Sequence, residues 1–272
     1  MAIPRVIPVL LLDGDGLVKT EKFKNPKYVG DPLNAVKIFN EKEVDELAFL
    51  DIKATLENRT PPLEFLYQIA GECFMPLSYG GGIRELDQVA DVLRVGIEKV
   101  IVNTFAVEDP TFVQRVAERH GSSTIAVSLD VKRSTFGRYE VCTHGGRVGT
   151  RLDPVELAVQ MERMGAGELI VTAIDRDGTM QGYDLELIHR ITEAVTIPVI
   201  ASGGAGGVED LGRAVNDAGA AAAAAGSLFV FKGKYRAVLI SYPSQAQLAE
   251  VFANAPRPPS ALAQLARAER EQ

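Results

Sequence analysis

The sequence predicts a single closed (β/α)8 barrel of the TIM type, an α/β fold built from two half-barrel repeats, and three observations carry that prediction. Eight apolar runs of four to seven residues alternate along the chain with segments of helical period. Three of those segments open on Asp-Pro, an N-cap acid followed by proline at the first helical position. Blocks of the first half return in the second at a nearly constant offset. Apolar strands buried on both faces and separated by helices belong to a parallel sheet, and eight such units in about 250 residues close it.

The first strand is read from Arg5 to Leu11, an apolar run too short to span a membrane and without a signal-peptide cleavage pattern. A glycine turn and a loop carrying Lys19, Lys22, Lys24 and Lys27 follow, and Asp31-Pro32 starts a helix. The next strands are Glu46 to Asp51, Met75 to Tyr79 and Lys99 to Asn103, and Asp109-Pro110 opens the helix that follows. The second half repeats the order with Thr124 to Asp130, Glu168 to Ile174, Ile197 to Ser202 and Ala220 to Ala225, and Asp153-Pro154 opens a helix after the fifth strand. Asp153-Pro154 lies 122 residues beyond Asp31-Pro32, and "PVIASGGAG" from Pro198 lies 122 beyond "PLSYGGGI" from Pro76. Gly219 to Ser227 lies 123 beyond Gly96 to Thr104. An ordered series of such matches marks a duplicated half-barrel. Residues 1–254 are assigned to the barrel, and 255–272, rich in Ala, Pro and Arg, to a flexible C-terminal tail.

With 46% hydrophobic residues the 272-residue chain can bury one barrel-sized core. Its net charge of -7 speaks against a nucleic-acid partner or an anionic membrane surface, because counterion release needs a concentrated cationic face. Cys73 and Cys142 form neither a disulfide framework nor a zinc pattern, which points to the reducing cytoplasm. The reading assigns no cofactor and no metal.

Residues at the C-terminal ends of barrel strands build the site. Gly81 and Gly82 follow the third strand and Gly203 and Gly204 the seventh, while Asn103-Thr104 and Gly226-Ser227 follow the fourth and eighth. Glycine turns with bare N–H groups beside a hydroxyl suit a phosphate, and two copies related by the repeat imply a small molecule phosphorylated at both ends. Of the rim acids Asp51, Asp130, Asp175 and Asp177, the candidates for proton transfer are Asp130 and Asp177; the alternative for each is capping the next helix or pairing with Lys132 or Arg176. Lys19 either closes over an anionic ligand, assisting Asp130 in catalysis together with Asp177, or belongs to a solvated basic loop. At the opposite end Arg5, Glu46, Lys99 and Glu168 each stand at the start of a strand, forming either a stabilising ion-pair ring or a gate.

With these residues in place, the chain from Met1 to about Phe252 resembles the cyclase subunit of imidazole glycerol phosphate synthase, HisF, through "DELAFLDI", "GGGI", "KVIVNT", "RMGAGELIVTAIDRDGTMQGYD" and "IASGGAG". The resemblance implies a HisH-like glutaminase docked on the barrel bottom beside Glu98. Ammonia then passes a gate of Arg5, Glu46, Lys99 and Glu168 to react with a bis-phosphorylated ribonucleotide at the top. In that family two catalytic aspartates end strands one and five; this chain keeps Asp130 but has Leu11 at the other position, and Ile101 where the family usually has serine. "LVKTEKFKNPKYVGDPLNAVKIFNEKEVDEL" and "GSLFVFKGKYRAVLISYP" resemble a HisF-like branch associated with acetamidino modification of surface-polysaccharide sugars. That branch implies delivery of ammonia to a separate, ATP-dependent sugar amidotransferase. Three functions therefore stand at this point: an ammonia-channelling barrel, an authentic cyclase of histidine biosynthesis, and a non-catalytic scaffold for a phosphorylated ligand.

Overall fold

The computed structural model describes residues 3–134 and 136–253, so the tail assigned to 255–272 lies outside the described residues. Eight parallel strands form the barrel: β1 (Arg5–Asp13), β2 (Leu47–Asp51), β3 (Leu77–Gly80), β4 (Lys99–Val102), β5 (Ile125–Arg133), β6 (Glu168–Ala173), β7 (Val199–Ser202) and β8 (Ala222–Ala225). Each pairs with its neighbours in chain order, and β8 returns to β1 in the register Arg5↔Ala222 to Pro8↔Ala225. One long outer helix follows each strand, from Pro32–Glu41 after β1 to Gln245–Val251 after β8. In the helix Leu185–Thr192, for example, Leu187, Ile188 and Ile191 fall on the buried face, and each such side chain stabilises the fold by about 1.5–3 kcal/mol.

The expected boundaries are corrected at both ends of the repeat. β1 runs past Leu11 to Asp13, and β5 runs past Asp130 to Arg133. Each strand leaves the barrel to pair antiparallel with an inserted strand, Gly16–Glu21 in one half and Tyr139–Thr143 in the other. Leu11 is the first residue of β1 in that extra pairing, opposite Val18, and Asp130 is the first of β5, opposite Cys142. The two positions are structural equivalents. The lysine segment expected as a loop is the hairpin Gly16–Glu21/Lys24–Gly30, in which Lys19 faces Lys27 across the ladder.

Glu46 immediately precedes β2 rather than opening it. Asp31 and Asp153 cap their helices as expected, accepting from Asn34 N and from Val155 N and Glu156 N. Asp109 does not occupy the same position: it terminates the short helix Thr104–Glu108, which leaves Pro110 as the residue flanking Thr111–His120.

Two apolar clusters result. One fills the space between barrel and helices. The other lies inside the barrel and consists of Ile7, Ala48, Ile101, Ala126, Ile200, Ala222 and Ala224, four of the seven being alanine. Small side chains on the axis leave space that the bulky branched residues usual in such barrels would fill.

Candidate functional site

At the N-terminal end of the barrel the four charges close into a ring. Arg5 Nη1 and Nη2 reach Glu46 Oε2 and Glu168 Oε2, each at 2.6 Å. Lys99 pairs with Glu168 Oε1 and, at 3.3 Å, with Glu46 Oε1, which also accepts from Ser78 Oγ at 2.6 Å. Both glutamates are buried, so their charges depend on the two cations. Burial lowers the pKa of Lys99 against the pull of Glu46. Glu98, beside the ring, is exposed.

Directly above the ring lies a cavity of about 20 Å³, bounded below by Glu46, Ser78, Lys99 and Glu168 and above by Leu50, Ile101, Thr172 and Ser202. That is room for about one water-sized molecule. Its upper walls are shared with a second cavity of about 360 Å³ at the barrel mouth, where Val9, Leu50, Ile101, Ser128, Thr172 and Ser202 line both. The axial space thus shares walls with the charged ring on one side and with the mouth on the other.

The mouth separates the four rim acids by their partners. Asp51 accepts from Lys53 N, Ala54 N and both terminal nitrogens of Arg59, which consumes its oxygens. Asp175 accepts from Arg133 N at 2.7 Å. Asp130 and Asp177 line the cavity, each with one hydroxyl partner: Ser128 Oγ donates to Asp130 Oδ1 at 3.0 Å, and Thr20 Oγ1 to Asp177 Oδ2 at 3.5 Å. Burial pushes the Asp130 carboxyl up to about 7, opposed by the Ser128 hydroxyl and helped by Asp177. Burial likewise raises Asp177 to about 6, with Lys19 opposing. Lys19 is buried, donates to Val9 O, and is lowered to about 8 by desolvation against the attraction of Asp177. Leu11 lines the same cavity, whereas Asp13, two residues on, is held by Lys53 at 2.8 Å.

Between about pH 4 and pH 7, folded Asp130 binds more protons than the unfolded chain does, so it lowers stability progressively as pH rises through that window. Asp130→Asn is therefore expected to raise the melting temperature by a few degrees at pH 8 and hardly at all at pH 4. Scanning calorimetry at the two pH values checks this; an equal gain at both would refute it.

The two glycine turns differ. Gly81, Gly82, Asn103 and Thr104 all line the mouth. A β-carbon on Gly82, at φ 71°, would collide with Arg59 O, so only glycine allows this approach. Asn103 Nδ2 donates to Ser128 O, and Thr104 Oγ1 accepts from His144 N at 3.0 Å. Beside the second turn, Ser202 at the end of β7 reaches the cavity, whereas Gly203, Gly204, Gly226 and Ser227 are not among its lining residues. Sequence reading missed Lys53, His144 and Arg147, which line the mouth on the first-turn side. His144 and Arg147 sit on the extension after β5, whose inward direction no periodicity reveals.

The histidine biosynthesis protein family matches residues 5–236. A Pseudomonas aeruginosa protein named "Putative imidazole glycerol phosphate synthase subunit hisF2" is 49% identical over 239 residues, covering 88% of this chain and 95% of that protein. The chain belongs to the HisF family. A similarly named Leptospira interrogans HisF subunit is 45% identical over 253 residues, covering 93% of this chain and all of the relative. A Vibrio vulnificus hisF3 subunit, also so named, is 48% identical over 244 residues, covering 89% and 94%. In this chain the position equivalent to Asp130 in the first half holds an aliphatic side chain, Leu11. Among the described residues no helix is long and apolar enough to cross a membrane, and no cluster of His, Cys, Asp and Glu could hold a metal.

Proposed function

We propose that this HisF-family chain is an ammonia-conducting barrel: a HisH-like glutaminase docks at the charged end beside Glu98, and ammonia leaves at the mouth for a sugar amidotransferase of surface-polysaccharide synthesis. The observation that carries the reading is the axial cavity, walled by the ring on one side and by residues of the mouth on the other, combined with Leu11. Neutral ammonia crosses an apolar lumen at little cost, whereas ammonium would have to shed its hydration shell. Alanine at four of the seven inner-cluster positions keeps that lumen passable. At its exit Asp130 receives no second proton-carrying partner from β1. The glycine turn at Gly82 and Thr104, faced by Lys53, His144 and Arg147, supports an anionic, phosphorylated ligand at the mouth.

A second reading, an authentic histidine-pathway cyclase, is favoured by Asp130, Asp177 and Lys19, whose pKa values all lie near neutrality. It requires water to replace the missing acid, because Asp13 is already paired with Lys53.

Ala48, buried on β2 and lining the axial cavity, is the test position. Ala48→Leu adds three carbons to a space of about 20 Å³, at a stability cost of about 1–3 kcal/mol. In the complex with glutaminase and amidotransferase, glutamine-driven transfer is expected to fall by an order of magnitude or more while transfer driven by added ammonium salt persists. Equal loss of both, or of neither, would remove the conduit from the account.

A further inference from the structure

Arg236 belongs to the hairpin formed by Phe231–Lys232 and Ala237–Val238, after β8, and has no part in the reading above. Its Nη2 donates to Gly178 O at 3.0 Å and lies 3.5 Å from Ser227 Oγ. Its Nη1 lies 3.6 Å from Glu21 Oε2, and its guanidinium carbon stands 4.6 Å from the centroid of the Phe231 ring. One side chain thus joins the turns that follow β6 and β8 to the hairpin that follows β1. Lys19 reaches the residue before Ser227: its ammonium occupies the space a β-carbon on Gly226 would need.

Three features mark Arg236 as placed for a ligand. Its backbone is left-handed, at φ 51°, a conformation easy for glycine and costly for any residue with a β-carbon, and such strain persists where the side chain is used. Its hydrogen-bond acceptors are a neutral carbonyl and a neutral hydroxyl, and its carboxylate partner, the exposed Glu21, forms a long ion pair at 3.6 Å that an anion can displace. Among the described residues, Nε and Nη1 donate no hydrogen bond. A planar guanidinium with unused donors, fixed by a ring face, matches the two-pronged geometry of a phosphate.

We propose that Arg236 is an anion-binding residue of the second glycine turn, exchanging Gly178 O for the phosphate-monoester end of the mouth ligand, with Lys19 and the Ser227 hydroxyl beside it. The proposal rests on the phosphate reading of the mouth and adds to it a residue from outside the strand ends.

Inorganic phosphate titrated into the full chain, with the backbone amide resonances of Gly82, Thr104, Gly178, Gly204 and Ser227 followed, tests it. In the wild type both turns are expected to respond. In Arg236→Ala the dissociation constant read at Gly178, Gly204 and Ser227 is expected to rise about tenfold to a hundredfold, that of a lost hydrogen bond to a charged group. The constant read at Gly82 and Thr104 stays where it was, which also shows that the variant is folded. Arg236→Lys recovers part of the loss, since an ammonium makes one contact where a guanidinium makes two. An unchanged or tighter second turn in Arg236→Ala overturns the proposal, leaving Arg236 as a strap over the turn, while the phosphate reading survives. Absence of response at both turns in the wild type sinks the two together.

Discussion

An aspartate at position 11 is expected to raise imidazole-ring formation from the bis-phosphorylated ribonucleotide by about 100-fold or more over the wild-type chain, the scale of one positioned acid or base. The position is equivalent to Asp130: each is the residue at which a barrel strand begins to pair with its inserted strand. Leu11 lines the mouth together with Asp130 and Asp177, so a carboxylate placed there enters the reaction space. Lys19 Nζ, bonded to Val9 O two residues back along β1, supplies a nearby cation to offset burial of the new charge. Like charges facing each other would also push Asp130 above its present value of about 7. Product absorbance with ammonium salt as nitrogen donor measures the gain. A flat response would shift the defect to the rest of the mouth, with Ile101 the first position to examine.

The second large effect is on stability. In the ring at the barrel bottom two cations balance two buried glutamates, and Lys99 touches both. Lys99→Met keeps most of the side-chain volume and removes one positive charge, leaving Glu46 and Glu168 sharing Arg5. An uncompensated buried charge costs about 3–5 kcal/mol, which lowers the melting temperature by about 6–20 °C for a domain of this size. Adding Glu168→Gln restores neutrality and is expected to recover much of the loss, so the double-mutant cycle shows a coupling well beyond additivity. Independent, additive effects would mean that the four charges are separately solvated and form no closed ring.

The barrel was legible because its signals are local. Apolar runs, Asp-Pro caps and a half-chain offset each follow from a few adjacent residues, and Asp31 and Asp153 cap their helices as the dipeptides predict. The charged ring was legible for a related reason: a charge at the start of an apolar strand can point only to the barrel's end. What escaped depended on distant pairing. The lysine segment after β1 carries alternating polar residues, and only its antiparallel partner makes it a hairpin that carries Lys19 inward. Asp51 and Asp175 look like Asp130 and Asp177 in sequence; the partners that claim them are Arg59, eight residues beyond Asp51, and Arg133 N at the end of β5. Arg236 was invisible as a ligand candidate, because its place beside Ser227 and Gly178 depends on the closing hairpin folding back onto the turn after β6.

The most direct measurement is the rate at which the purified chain, supplied with ammonium salt and the bis-phosphorylated ribonucleotide, forms the imidazole ring, set beside a HisF subunit that has both strand-end aspartates. With Leu11 in place of one acid the rate is expected to be lower by about 100-fold to 10,000-fold. Rates within a few-fold of each other would contradict the account and make this barrel a working cyclase.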